Sequence, residues 1–340
     1  MRRLLATGAV VTASLGVFAG DALADSTSTA QKKPTSSTTP GPPATPPQKA
    51  SAKLYFDGVF VVHHGVVTLP GRNVAVHGFV FPYVAGQSVQ INAYIGKKLL
   101  ASRRMAVKPS AGKPYGSFTA TVKAPRPGIV RVQVTHPRSS QMSGFFAQRA
   151  FAALNPHVGS GATGPLVDLI QQRLSALHVF VPQTGRFDEQ TGLALDAYHR
   201  LLGWGEGSQN ADQRTLAALM DGRGTFRVRY PNDGNHVEGN LGIQVLALIN
   251  GSQVYRIYPI SSGKPSTPTI LGRFQVYYRV KGYLPDGMYY SSFFYRGYAV
   301  HGYDPAPDYP ASHGCMRLPI IDAIGVFDWL SYGDWVDVYQ

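Results

Sequence analysis

Residues 242–251 read GIQVLALING, and residues 252–264 continue SQVYRIYPISSGK. The two β-rich runs flank an Ile-Asn-Gly turn signal, so they read as strands of a hairpin. Outward from that hairpin the texture persists. TFRVRYP at 225–231, LGRFQVYYRV at 271–280, YAVHGY at 298–303 and DWVDVYQ at 334–340 are strand-like and separated by Gly, Pro and Asn-Gly turns. One helix is expected over 320–330. Residues 225–340 therefore predict a mainly-β domain with a single helix near its end.

N-terminal to this domain the period changes. In GPLVDLIQQRLSALHVF (164–180), Leu166, Leu169, Ile170, Leu174 and Leu177 fall on one face of a 3.6-residue helix. The run 191–204 repeats the pattern through Leu193, Ala197, Tyr198 and Leu201, and ADQRTLAALM (211–220) predicts a third, short helix. Asp188 with Thr191, and Asn210 or Asp212 with Thr215, have the spacing of N-terminal caps. Residues 159–221 thus predict a small three-helix module. Earlier still, VHGFVFPYV, SVQINAYIG, GSFTATVKAP and GIVRVQVTHP are β-rich runs bounded by Gly and Pro, so 53–155 predicts an all-β sandwich. That segment resembles the small immunoglobulin-like (Ig-like) modules of bacterial surface proteins, without a disulfide. His63, His64 and His77 lie in it and read as polar surface or hydrogen-bonded residues rather than metal ligands.

Residues 25–52 are rich in Ser, Thr, Pro, Ala and Gln and carry almost no large apolar side chain. Such a stretch cannot offset its ordering entropy and reads as a disordered linker. Arg2 and Arg3, the apolar run 4–18 and Ala22-Leu23-Ala24 have the form of a secretory signal peptide over 1–24. The run is too short for a bilayer span. A secreted protein, with no membrane span after cleavage, is the expectation. The formal charge of +13 favours anionic surroundings. Outside the cytoplasm nucleic acid is the wrong polyanion; an anionic cell wall suits better.

Cys315 is the single cysteine and lies in PASHGCMRLP (310–319). A catalytic thiol needs a base, an orienting partner for that base and donors for an oxyanion. His301 ends the strand 298–303, His313 flanks the cysteine, Gly302 and Gly314 permit close backbone approach, and Ser312 adds a hydroxyl. Two other readings stand beside thiol catalysis: a zinc site of His301, His313 and Cys315 with Asp304 or Asp308, and an inert core cysteine. No HExxH helix or CxxC pair supports the metal.

The succession ISSGKPSTPTILGRF, MYYSSFF, YAVHGYDPAP and SHGCMRLP resembles the L,D-transpeptidase catalytic domain of bacterial cell walls. The resemblance spans 225–340. It implies Cys315 as nucleophile, made a thiolate by a protonated imidazole, and His301 as general base oriented by the Gly302 carbonyl. His313 becomes a second imidazole, amides near Gly314 and Cys315 the oxyanion donors, and Arg317 the partner of a substrate carboxylate, unless it pairs with Asp304 or Asp308. Tyr290 and Phe294, in an aromatic run where the family has a loop over the site, are expected to line a donor pocket. No cofactor or metal is implied. The reaction would join peptidoglycan stem peptides into 3→3 cross-links. An L,D-carboxypeptidase using the same thiol and a non-catalytic wall-binding protein are the alternatives. Residues 159–221, through Gln171, Leu174, Leu177, Gly185, Phe187, Asp188, Thr191 and Tyr198, resemble a peptidoglycan-binding module. His199 stands where that family more often has Gln. On this reading, deleting residues up to Met220 weakens action on intact wall more than on soluble peptides.

Overall fold

The structure, a computed structural model, describes residues 46–204 and 208–340. The expected signal peptide and most of the expected linker fall outside the described residues. The linker's last residues do not. Gln48 bridges Met142 and donates its amide to the Gln141 carbonyl at 3.0 Å, and the first strand starts at Ser51.

Ten strands fill residues 51–153. One sheet holds β1 (Ser51–Asp57), β4 (Asn73–Phe81), β8 (Gly116–Lys123) and β7 (Lys108–Pro109) in that order. The second holds β2 (Phe60–Val62), β3 (Gly65–Thr68), β10 (Phe145–Ala153), β9 (Gly128–His136), β5 (Ser88–Ile95) and β6 (Lys98–Ala106). Burial alternates along β4 and β5, as a pleat with one face inward requires. Val74, Val76 and Phe118 from one sheet and Ile91, Val132 and Phe151 from the other share one core. His64 Nδ1 donates to the Asp168 carboxylate at 3.0 Å, and His77 Nδ1 shares a hydrogen bond with the Thr119 hydroxyl at 3.2 Å. Both histidines are therefore engaged in ordinary polar contacts.

Three helices follow: α1 (Pro165–Ala176), α2 (Glu189–Leu201) and α3 (Gln213–Met220). Asp188 accepts from the Thr191 amide at 2.9 Å and Asp212 from the Thr215 amide at 2.7 Å, so the third helix is capped by Asp212 and not Asn210. Leu166, Leu169, Ile170, Leu174 and Leu177 are all buried. On α2, Leu195 takes the buried place expected of Leu193.

The C-terminal part has two sheets and α4 (Ile320–Trp329). β13 (Gln253–Pro259), β12 (Val245–Asn250), β11 (Asn235–Asn240), β19 (Trp335–Tyr339) and β14 (Gly272–Gln275) form the larger sheet. β15 (Tyr278–Tyr283), β16 (Tyr289–Tyr295), β17 (Tyr298–Gly302) and β18 (Met316–Leu318) form the smaller. The chain is thus a mostly-β, multidomain fold with four helices among the described residues. No helix among them is long and apolar enough to cross a membrane.

Several expectations change. TFRVRYP joins no sheet, because the buried Glu238 carboxylate accepts from the Arg229 and Tyr230 amides that a ladder would use. LGRFQVYYRV splits into β14 and β15, which belong to different sheets. The aromatic run at 288–294 is not a loop over the site. It forms most of β16, a strand paired on both sides.

The helical segment is not a free-standing packet either. Val245, Ala247 and Ile249 on one face of β12, with Ile257 of β13, bury into the same core as Leu169, Leu195 and Leu216 of the helices. Leu246 and Leu248 on the other face of β12 enter the core that holds Val300 and Met316. Val62, Val67 and Leu69 of the front β-domain join the helical core as well.

Candidate active site

β17 and β18 run parallel, with Val300 opposite Met316 and His301 opposite Arg317. Because they are parallel, the start of β18 returns beside the start of β17, which brings Cys315 back to Ala299. Val300 and Met316 point into the core. Strand alternation then sends His301, Arg317 and Cys315 to the opposite face. The sequence motifs YAVHG and GCMRL are therefore one surface, built by pairing.

His301 is 2% exposed, and its Nδ1 lies 2.8 Å from the Gly302 carbonyl. A carbonyl can only accept, so Nδ1 carries the proton and Nε2 is left with its lone pair. Burial drives the imidazole pKa down to about 4, although the Gly302 hydrogen bond acts the other way. Cys315 is half-buried, with Sγ 3.6 Å from the Gly297 carbonyl. Burial pushes the thiol up, against smaller opposing effects from the Ala299 amide and the Arg317 charge. Desolvation thus favours the uncharged form of both groups. Burial therefore works against the resting thiolate–imidazolium pair that the resemblance implies.

Ser312 is buried and serves the backbone. Its Oγ donates to the Cys315 carbonyl at 2.6 Å and accepts from the Gly314 amide at 3.0 Å, which fixes the turn carrying the thiol. The Gly314 amide is consequently spent and is not an oxyanion donor. The amides of His313 and Cys315 donate to no acceptor among the described residues. Gly314 has φ of +125°, and a Cβ there would lie 2.5 Å from a Tyr298 ring carbon. Only glycine fits both demands. At Gly302 a Cβ would lie 2.7 Å from the Ala323 Cβ, so the base's neighbour must also be small for α4 to pack.

Arg317 makes no ion pair among the described residues. Its guanidinium carbon lies 4.0 Å from the Tyr303 ring centroid, and Asp304 and Asp308 do not bind it. The Tyr303 ring meets His301 edge-on at 5.8 Å. His313 is exposed, with Nε2 3.4 Å from Lys264 Nζ. Among the described residues no group of three or more His, Cys, Asp or Glu side chains could hold a metal ion, so the zinc reading lacks a donor set. Phe294 is buried at 3% exposure against Phe274 and Tyr298. It is a core residue. Tyr290 sits at a bulge with φ of +50° and packs edge-on against Phe327 of α4 at 5.1 Å.

The sequence reading missed Tyr303, Lys264 and Asp286. The Asp286 charge acts on both His301 and Cys315. Its Pro-Asp-Gly context reads as a turn and carries no sign that its charge reaches the two groups.

No curated protein matches the chain. Among solved structures, an L,D-transpeptidase fragment from Xylanimonas cellulosilytica is 29% identical over 55% of this chain and 98% of its own, with a TM-score of 0.49. An L,D-transpeptidase from Stackebrandtia nassauensis is 18% identical over 54% and 96%, with a TM-score of 0.35. The catalytic domain of the E. faecium L,D-transpeptidase is 25% identical over 32% and 98%, with a TM-score of 0.28. Residues 234–338, which contain the His301 and Cys315 strands, match the YkuD family, the L,D-transpeptidase catalytic domain.

Proposed function

We propose that this protein is an extracytoplasmic L,D-transpeptidase that forms 3→3 cross-links in peptidoglycan through an acyl-enzyme on Cys315. The observation that carries the reading is the hydrogen bond from His301 Nδ1 to the Gly302 carbonyl. It leaves Nε2 free as a base on the face that also carries Cys315 and an unpaired Arg317.

The Cys315 proton passes to His301 Nε2 as Sγ attacks the carbonyl of the third stem residue. The amides of His313 and Cys315 are the candidate oxyanion donors. The tetrahedral intermediate collapses with transfer of the Nε2 proton to the leaving amine, and D-alanine departs. A side-chain amine of a second stem then attacks the thioester, His301 takes its proton, and the thiol is restored. Arg317, with its planar fork, suits a carboxylate of the donor stem. His313 is kept as a second imidazole beside Cys315, and Tyr290 as a lining residue of the donor pocket. The stem peptides and the glycan wall are the partners, and no cofactor or metal takes part in these steps.

The ten-stranded N-terminal part is read as an Ig-like sandwich, and residues 159–221 as a peptidoglycan-binding module that keeps the catalyst on an insoluble polymer. Incubation of tetrapeptide muropeptides with the protein and with Cys315→Ala, followed by mass analysis, tests the whole reading. Cross-linked dimers that vanish in the variant support it. Tripeptides without dimers favour the carboxypeptidase, and identical products from both proteins overturn the role of Cys315.

A further inference from the structure

Residues 303–311 connect His301 to the turn that bears Cys315, and they leave a 350 Å³ cavity lined by Arg200, Gln244, Asp308, Tyr309 and Pro310. Apolar packing does not fill the space under this loop. Hydrogen bonds hold it instead, and they converge on one side chain from the helical segment. Arg200 of α2 is buried and paired with Asp196 at 2.6 Å. Its Nη1 donates to the Gln244 carbonyl at 2.6 Å and the Ile260 carbonyl at 3.0 Å, and its Nη2 to the Asp308 carbonyl at 3.1 Å.

The contacts continue toward the thiol. The Gln244 side chain bonds the Ser262 amide and hydroxyl, each at 2.8 Å. The Ser262 carbonyl accepts from the Ala311 and Ser312 amides, each at 2.9 Å, and Ser261 Oγ donates to the Tyr309 carbonyl at 2.6 Å. Ser312 then fixes the Cys315 turn. Gln244 has φ of +51°, a left-handed backbone that is uphill for a residue with a Cβ. Such a conformation persists where its surroundings determine it, and here its carbonyl is held by Arg200.

We propose that Arg200, by holding the Gln244, Ile260 and Asp308 carbonyls, is a positioning residue for the Cys315 turn. The helical segment is then part of the catalytic apparatus. This rests on the transpeptidase reading for its functional meaning, but the pin itself can be measured without activity.

The test compares the full chain with Arg200→Lys, which keeps the charge beside Asp196 and loses the fork. A second variant, Arg200→Met with Asp196→Leu, removes both buried charges so that neither is stranded. Amide hydrogen exchange is followed at Ala311 and Ser312 and at Leu246 and Leu248 of β12. Exchange at 311 and 312 is expected to speed up by at least about tenfold, with β12 unchanged. In the muropeptide assay kcat falls about tenfold or more while KM changes less. Unchanged exchange at 311 and 312, or exchange that rises equally at β12, overturns the pin. Loosened exchange in a chain whose parent lacks transferase activity keeps the pin and removes the transpeptidase reading instead.

Discussion

Iodoacetamide can read the protonation state of the proposed nucleophile directly, because Cys315 is the chain's only cysteine. Burial takes His301 to about 4 and raises the thiol above its ordinary value. At neutral pH an imidazole with a pKa of about 4 is protonated in about one molecule in a thousand, and burial that raises the thiol keeps it mostly protonated as well. Alkylation consumes the thiolate. Its rate should therefore climb nearly tenfold per pH unit from about pH 6 to pH 8 and level off only above the ordinary thiol range. A pre-formed thiolate–imidazolium pair behaves differently and gives a plateau across that range.

Substitution of the base separates the two cases further. If the pair is neutral, His301→Gln leaves the alkylation rate at pH 7 within a few-fold of the parent, because the imidazole is not holding a thiolate in place. Acyl transfer, in which the base must take the proton, falls by about 10²–10⁴. A plateau from about pH 5 to pH 8 that His301→Gln abolishes would refute the reasoning from burial.

Three further outcomes follow from the same structure. Gln190 of α2 donates to the buried Asp322 of α4 at 3.0 Å, and burial raises that carboxyl to about 7. Its folded pKa lies above its unfolded one, so its contribution to stability is complete below about pH 4 and is lost as pH rises to about 7, a difference on the order of 4 kcal/mol. Asp322→Asn should flatten that slope and be the more stable protein at pH 8 in urea unfolding; equal slopes would dismiss Asp322 as its source. Gly314→Ala must push its new Cβ against Tyr298 at positive φ. It should cost about 1–3 kcal/mol and abolish acyl transfer, whereas a fully active alanine variant would show that the turn is not held as described. Deleting residues 1–224 strips the cover from Ala247 and from Val245, Ile249 and Ile257, the last three each worth up to about 1.5–3 kcal/mol when fully buried. Activity on soluble stem peptides and on intact wall should then fall together, because the helices support the sheet as well as binding wall; a soluble, folded fragment that loses only its action on wall would show that they serve wall binding alone.

Local chemistry was legible in the sequence wherever a short segment decides its own conformation. The caps at Asp188 and Asp212, the buried stripe of α1 and the hairpin turn after β12 are all of that kind. The His301 and Cys315 motifs could be named as one site, but not the burial that disfavours the charged forms of both groups. That depends on what packs over them, including the ring of Tyr303 against His301. TFRVRYP shows the opposite failure. Its propensity is that of a strand, and the buried carboxylate of Glu238, on the next strand, overrides it by taking two of its amides.

The packing of the helical segment against the C-terminal sheet is not read from the helices themselves, although β12 carries the signal. Val245, Leu246, Ala247, Leu248 and Ile249 form an unbroken apolar run. A strand with one face in water alternates, whereas one covered on both faces does not. The smaller sheet and α4 supply one cover, and an isolated 225–340 domain has no other element to supply the second. The missing cover is the packed face of the helices. Once that face is committed to β12, α2 is held where Arg200 reaches the loop before Cys315. The apolar run that decides the sheet therefore also decides that the helices belong to the catalytic body.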